Sequence, residues 1–489
     1  MRKTALATLL FVVLTGGAED ARGVPLAVDG HFADWSGSTP VCSDPAGDGA
    51  GIDFGRVWAR GDSERLTMRF EVGREINLQS GNEITLLVDG DGNPGTGRKM
   101  QGLGAELVWR FGARSGTIWR GGRMVAIEQA DIGIRQAPTV SSTEFEVSFS
   151  RQSADGTRVL TGPDAALVLV DGSSDHGDRL PDAGPAALPL ADAPRAAPPV
   201  VSLERESPDD VRILTWNVLF DGLFKRPAPF LRVLKTIDPD VICFQEVWSH
   251  TAQEAADQVS LALPGSTWHG EHTTDGLVVS RYPFLDARAI DEAGNYWALV
   301  DLPDDRYGTD LSVVSAHPPC CDNEEGRQRE LDGIAAWLRD LVTPGGLDLA
   351  PGTPLVVAGD MNLVGGARQV RTLVAGDIAD EAAFGPSHAP DWDGTALSDA
   401  EPRHAGGLDT FTWRDEKGSF APGRLDYIVY SDSVARLANA FVLAAEELPT
   451  DVLERYGLRR DDTLKTSDHL PVVADLTLAA ARARAGTGE

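Results

Sequence analysis

"SDHLPVVADL", residues 467–476, joins a polar trio, Ser467-Asp468-His469, to an apolar run that only Asp475 interrupts. A short apolar run with polar flanks reads as a buried strand. The polar lead then stands at the end of that strand, where strands hand over to loops and reactive groups are assembled. The same pattern recurs upstream in "TWNV" (215–218), "DVICFQEVW" (240–248), "SAHPP" (315–319), "VVAGDMN" (356–362) and "RLDYIVYS" (424–431). Asn217, Gln245 with Glu246, His317, Asp360 with Asn362, and Asp426 lie at the ends of these runs, as Asp468 and His469 do here. Between the strands come helical spacings. "APFLRVLKTI" (228–237) is apolar at Phe230, Val233, Leu234 and Ile237, and "RQRELDGIAAWLRDLV" (327–342) is amphipathic. Strands buried on both faces, with helices between them, predict a layered α/β domain with two packed sheets over 211–477.

Taken singly, these polar residues have plain readings. An Asn after a strand is usually a turn former, and a lone His is usually a satisfied structural side chain. Asp360-Met-Asn362 alone is a sound Asx turn. Their joint order is what points to chemistry. Residues 210–477 resemble the endonuclease/exonuclease/phosphatase superfamily, whose deoxyribonuclease-I-like fold is a four-layer α/β sandwich. The resemblance rests on the six strings above, the terminal Ser-Asp-His-Leu-Pro being the most specific.

The resemblance implies a role for each matching residue. Glu246 is the principal ligand of a divalent cation, Mg2+ or Mn2+, with Asn217 supporting the same side and Asp468 the second carboxylate nearby. His469 contacts the scissile phosphate or helps activate water, and Asp426 holds its ring in one tautomer. Asp360 orients or deprotonates the attacking water. Asn362 donates to the phosphoryl oxygens, and His317 binds the phosphoryl group and assists the leaving oxygen. The residue types suit this chemistry independently. Hard oxygen ligands fit a small cation that keeps its waters. In-line attack on a phosphodiester needs a neutralising cation, a placed water and a proton for the leaving group. Asp360 and Asn362, two apart on an extended segment, can face one cleft.

Substrate choice is not legible. The family includes nucleases, sphingomyelinases and inositol-phosphate phosphatases, so the expected partner is a phosphate ester, with nucleic acid among the candidates. A formal net charge of −30 opposes charge-driven binding to polyanions. A bound divalent cation reverses that sign locally in a carboxylate-rich cleft. Arg327 and Gln328 follow His317 on the next helix and either reach the phosphate or lie on the helix surface. "GNYWAL" (294–299) reads as a core strand or as a lipid-touching tip.

The chain is long enough for two domains. Residues 1–18 have a basic Arg2-Lys3 start, an apolar stretch from Ala5 to Leu14 and a small-residue end, which reads as a signal peptide and predicts a secreted protein. No later stretch reaches about 18 apolar residues without charge, so no transmembrane anchor is expected. Over 24–180, short alternating runs such as "RLTMRFEVG", "EITLLVDG" and "AALVLVDG" predict an all-β sandwich. Its opening, "LAVDGHFADW" (26–35), resembles the family 9 carbohydrate-binding-like modules, which implies a carbohydrate partner. The alternative function is accordingly a surface-attachment protein with a non-catalytic second domain.

"LLVDGDGNPGTGR" (86–98) places Asp89, Asp91 and Asn93 at alternate positions, as in Ca2+ loops. Met100 stands where an EF-hand needs a bidentate Glu, and a hairpin turn satisfies the same string. Residues 181–210, rich in Pro and Ala, read as a linker, and 478–489 as a tail. Of the four cysteines, adjacent Cys320 and Cys321 make poor joint zinc ligands with His317, because neighbouring side chains point apart. A vicinal disulfide, or a pairing of either with Cys243, remains open.

Overall fold

The computed structural model describes residues 26–172, 177–192, 194–195, 197–272 and 275–479. The leader lies outside them, as does the tail beyond Ala479. Among the described residues no helix is long and apolar enough to cross a membrane.

The first domain is a β-sandwich. One sheet has five antiparallel strands in the order Cys42–Ser43, Arg56–Gly61, Arg65–Ile76, Ser142–Ser150 and Arg135–Ala137. The other has seven, with Ala166–Asp171, Ile84–Asp89 and Leu107–Arg110 at its centre. Alternation along each strand aims one face inward. Phe70, Phe145 and Phe149 from the first sheet therefore meet Leu86, Val88, Trp109 and Leu167 from the second, all buried. Each such burial contributes about 1.5–3 kcal/mol.

The expected linker begins later than its composition suggests. Arg179–Leu180 pairs with Leu169 and Val170, Ala186–Ala187 pairs with Ala166 and Leu167, and Leu188 is buried in the sandwich core. Proline is tolerated on edge strands, and here Leu180, Ala186 and Leu188 supply apolar contacts between prolines. Val201 N donates to Ala405 O and Leu203 is buried in the second domain, so the crossing falls in the 190s. The two domains are packed together. Val140 of the sandwich is buried in a core of the second domain, and Ala421 of the second domain in the core of the sandwich.

The second domain has two six-stranded mixed sheets. Its strands are β1 (Val211–Asn217), β2 (Val241–Gln245), β3 (His269–His272), β4 (Leu277–Ser280), β5 (Phe284–Ala289), β6 (Tyr296–Val300), β7 (Leu311–Ala316), β8 (Leu355–Asp360), β9 (Ser398–Asp399), β10 (Asp426–Tyr430), β11 (Ala435–Val442) and β12 (Val472–Leu478). The sheet orders are β3-β4-β2-β1-β12-β11 and β5-β6-β7-β8-β10-β9. Val211 and Ile213 face the other sheet, where Val313, Val356 and Ile428 meet them. Leu214 and Trp216 face the opposite way, onto α1 (Pro227–Ile237) and α2 (Ala252–Ala262). Val314 and Val357 pack outward on α3 (Glu324–Val342) and α4 (Arg368–Ala375). The layers run α/β/β/α, the four-layer sandwich expected. Tyr296 and Trp297 are core residues, 7% and 3% exposed, rather than a lipid-touching tip.

Candidate active site

Strand register brings the polar strand ends to one edge. β1 and β2 are parallel, with Asn217 opposite Gln245. β7 and β8 are parallel, and β10 runs antiparallel to β8 with Asp426 opposite Asp360. Antiparallel pairing sets Thr215 of β1 opposite Val472 of β12, so the segment before β12 arrives at the same edge.

Asp360 is the hub. Its Oδ2 lies 3.4 Å from His317 Nε2 and 3.4 Å from His469 Nε2, and accepts from Asn217 Nδ2 at 3.1 Å. The same Asn217 amide nitrogen donates to Glu246 Oε1 at 3.0 Å, while Asn217 Oδ1 accepts from Leu219 N. Asn217 thus ties the two carboxylates together through its nitrogen. Asn362 donates its backbone N–H to Asp360 Oδ1 and its side chain to Pro318 O. Gln245 is buried and bonds Thr215 and Cys243, a scaffold role. Glu246 and Asn362 both adopt left-handed backbone, φ 62° and 49°, at a cost of about 1–3 kcal/mol each that neighbouring contacts must offset. For Glu246 those contacts are its N–H to Asp275 Oδ1 and its carbonyl, which accepts from Asp221 N.

Each imidazole has its own carboxylate. Asp426 Oδ2 lies 2.8 Å from His469 Nδ1, and Asp275 Oδ2 lies 2.6 Å from His317 Nδ1. Burial alone would lower the His469 pKa, but Asp426 and Asp360 outweigh it and raise it to about 9. His317 behaves alike: burial opposes its charge, and Asp275 and Asp360 raise its pKa well above the ordinary value. Burial would raise Asp360, yet the two imidazoliums hold it below the usual carboxylate range. Positive charge on the two imidazoles and negative charge on Asp360 thus favour one another.

Asp468 sits apart from this ring. Its Oδ2 accepts from Trp413 Nε1 at 3.0 Å, and Trp413 forms a β-bridge with His469. Among the described residues, Asp360, Asp426 and His469 form a cluster with ligand atoms within 4.8 Å of one another, whereas no such cluster includes Glu246 or Asp468. A lone Glu246 carboxylate with polar neighbours still fits a magnesium-type ion, which binds through one or two carboxylates and keeps several waters.

Asp275, Trp413 and Asn295, whose Oδ1 accepts from His317 N, were not among the expected site residues. Asp275 had a signal, since it precedes the apolar run of β4 as Asp468 precedes that of β12. Arg327 does not lie on the helix surface. It is buried, donates from Nε to Gln369 and from Nη1 to Pro319 O, and so straps down the loop after His317. Cys320 and Cys321 in that loop form a vicinal disulfide, and Cys243 is free and buried.

No curated protein sequence matches the chain. Among solved structures, D. rerio TDP2 complexed with single-strand DNA product is similar at 16% identity, with 55% of this chain and 99% of that chain covered and a TM-score of 0.36. The human Nocturnin catalytic domain with bound sulfate gives 17%, 55%, 95% and 0.35, and the 3′ phosphatase NExo from Neisseria bound to a product DNA hairpin gives 21%, 55%, 99% and 0.35. The model of the endonuclease/exonuclease/phosphatase family matches residues 214–469, from inside β1 to His469, and so takes in every strand end that converges on Asp360. With that match spanning more than half of its length, the chain belongs to the endonuclease/exonuclease/phosphatase family and is a metal-dependent phosphoester hydrolase.

Proposed function

We propose that the second domain hydrolyses a phosphodiester by in-line attack of water, with Mg2+ or Mn2+ as its divalent ion. The observation that carries this reading is the pair of carboxylate-backed imidazoles, each 3.4 Å from the same Asp360 oxygen, with Glu246 joined to that carboxylate through Asn217.

Glu246, with Asn217 beside it, would hold the ion, while Asp468, expected as the second carboxylate, is held by Trp413 Nε1 instead. Bound at Glu246, the ion neutralises phosphoryl oxygen charge. His317 and His469, both protonated, present Nε2–H to the phosphoryl group. Asp360, kept ionised, accepts from the attacking water, orients it and takes its proton as the oxygen bonds to phosphorus, then returns that proton to His317 Nε2, 3.4 Å away, once the ring has given up its own. His317 has its proton available at neutral pH and gives it to the leaving oxygen, while Asp275 stabilises the cation beforehand. Asp426 fixes the ring of His469 so that Nε2 faces the reacting group. Asn362, whose amide already gives one hydrogen to Pro318 O, would donate the other to a phosphoryl oxygen.

Phe220 and Trp248, 53% and 56% exposed, pack edge to face beside Glu246, with Phe220 N donating to its Oε2. This aromatic rim suits an ester bearing a base or an acyl group. The leader at 1–18 supports export.

Hydrolysis of bis-p-nitrophenyl phosphate in Mg2+ against chelator tests the reaction. Turnover that persists in chelator, or none in either metal, would overturn it. A panel of plasmid DNA, RNA, sphingomyelin and inositol phosphates then ranks the substrates.

A further inference from the structure

We propose that the β-sandwich binds one Ca2+ ion through Asp89, Asp91 and Glu106. Asp89 ends the strand Ile84–Asp89, and Glu106 lies between the short strand Leu103–Ala105 and the strand Leu107–Arg110. One carboxylate oxygen from each of the three lies within 4.8 Å of the others. Two oxygens that each stand about 2.4 Å from a shared Ca2+ are at most about 4.8 Å apart, so the spacing fits that ion.

A cluster of acids is common without an ion, but Glu106 separates this one from a surface group. It is 7% exposed, its Oε2 accepts from Gly90 N at 2.8 Å, and its Oε1 is buried with no hydrogen-bond partner. Asp89, at 4% exposed, is buried beside it. Among the described residues, no Lys, Arg or His forms an ion pair with any of the three. A buried carboxylate with one oxygen unpaired, clustered with two further carboxylates, is an arrangement that a cation resolves.

The ligand set differs from the loop reading of the sequence. Asn93 turns its Oδ1 to Gly95 N and caps the turn, and Glu106, across the small hairpin Arg98–Met100 and Leu103–Ala105, supplies the third carboxylate instead. All three donors are hard oxygens carrying up to three negative charges, which disfavours zinc. Mg2+ demands near-octahedral geometry and dehydrates reluctantly, so an all-protein carboxylate cage favours Ca2+. The bound ion would pin the 90–105 loop to the sheet at both of its ends.

The test uses the full chain, stripped with chelator and then kept in excess MgCl2 so that the catalytic site is supplied. Calorimetric titration with CaCl2 should give one site, and Ca2+ should raise the melting temperature above that in Mg2+ alone. Glu106→Gln, which keeps an acceptor for Gly90 N, and Asp91→Asn should each weaken binding by about tenfold or more and remove the melting shift. Phosphodiesterase activity in Mg2+ should be unchanged in both. An absence of Ca2+ heat in the parent protein, or unchanged affinity in both variants, overturns the site. So does binding lost in Asp48→Asn but not in Glu106→Gln, which would put the ion at the Asp44, Asp48, Asp178 and Asp182 cluster.

Discussion

Two histidine–aspartate pairs flank Asp360, and they are not equivalent. In the His469–Asp426 pair the side chains are 7% and 0% exposed; in the His317–Asp275 pair they are 14% and 17% exposed. Burial wins at Asp426, whose Oδ1 has no hydrogen-bond partner, and pushes its pKa up. At Asp275 burial pushes the same way, but His317, Glu246 N and Trp248 Nε1 together pull its pKa below the ordinary value. The same two residue types are thus a fully desolvated unit on one side and a partly exposed, multiply bonded one on the other. The first suits holding one ring orientation throughout. The second suits a proton donor that must be replenished from solvent.

The sharpest break of this contrast is removal of a central group. His469→Ala or Glu246→Ala should abolish metal-dependent hydrolysis of bis-p-nitrophenyl phosphate; activity retained in both would sink the reading of the site. Next comes Asp426→Asn, which leaves His469 without its ionic partner and should lower kcat about 100 to 10,000-fold. Asp275→Asn should cost less, about 10 to 100-fold, because the amide oxygen can still serve Glu246 N or Trp248. Equal losses in the two variants would show that burial does not distinguish the pairs.

In chelator-treated protein, NMR should find the His469 ring titrating near 9, against an ordinary 6.5, and moving down in Asp426→Asn. The sign for stability follows. The His469 contribution is complete below about 6.5 and is lost as pH rises through about 9. A ring titration near 6.5 in the parent protein would remove the ion-pair account. The smallest effect belongs to Trp413→Phe, which deletes one hydrogen bond to Asp468. It should slow turnover by about tenfold, from a loss of about 1.5 kcal/mol. A much larger loss would give Asp468 a more direct part than its position outside the Asp360 ring suggests.

The expected fold rested on two periods, alternation in 24–180 and mixed strand and helix spacing in 211–477. Both depend on local residue order, so both are legible before folding. The expected site residues were legible for a related reason: polar groups at strand ends stand out against apolar runs. Asp275 and Trp413 were missed because their importance lies in contacts 42 and 55 residues away, with His317 and Asp468. The stretch from 181 to 190 was misjudged because proline content masks edge strands that only the neighbouring strand reveals.

Sequence alone determined which residue types end which strands, and with them the two architectures and the class of chemistry. Tertiary structure decided their partnerships: that two imidazoles share one oxygen of Asp360, that Asn217 bridges through nitrogen, that Arg327 straps a loop instead of lying on the helix surface, and that Glu106 joins Asp89. Partnerships of this kind depend on sheet register and on what each burial leaves unpaired. Those are properties of packed neighbours, which residue order along the chain does not carry.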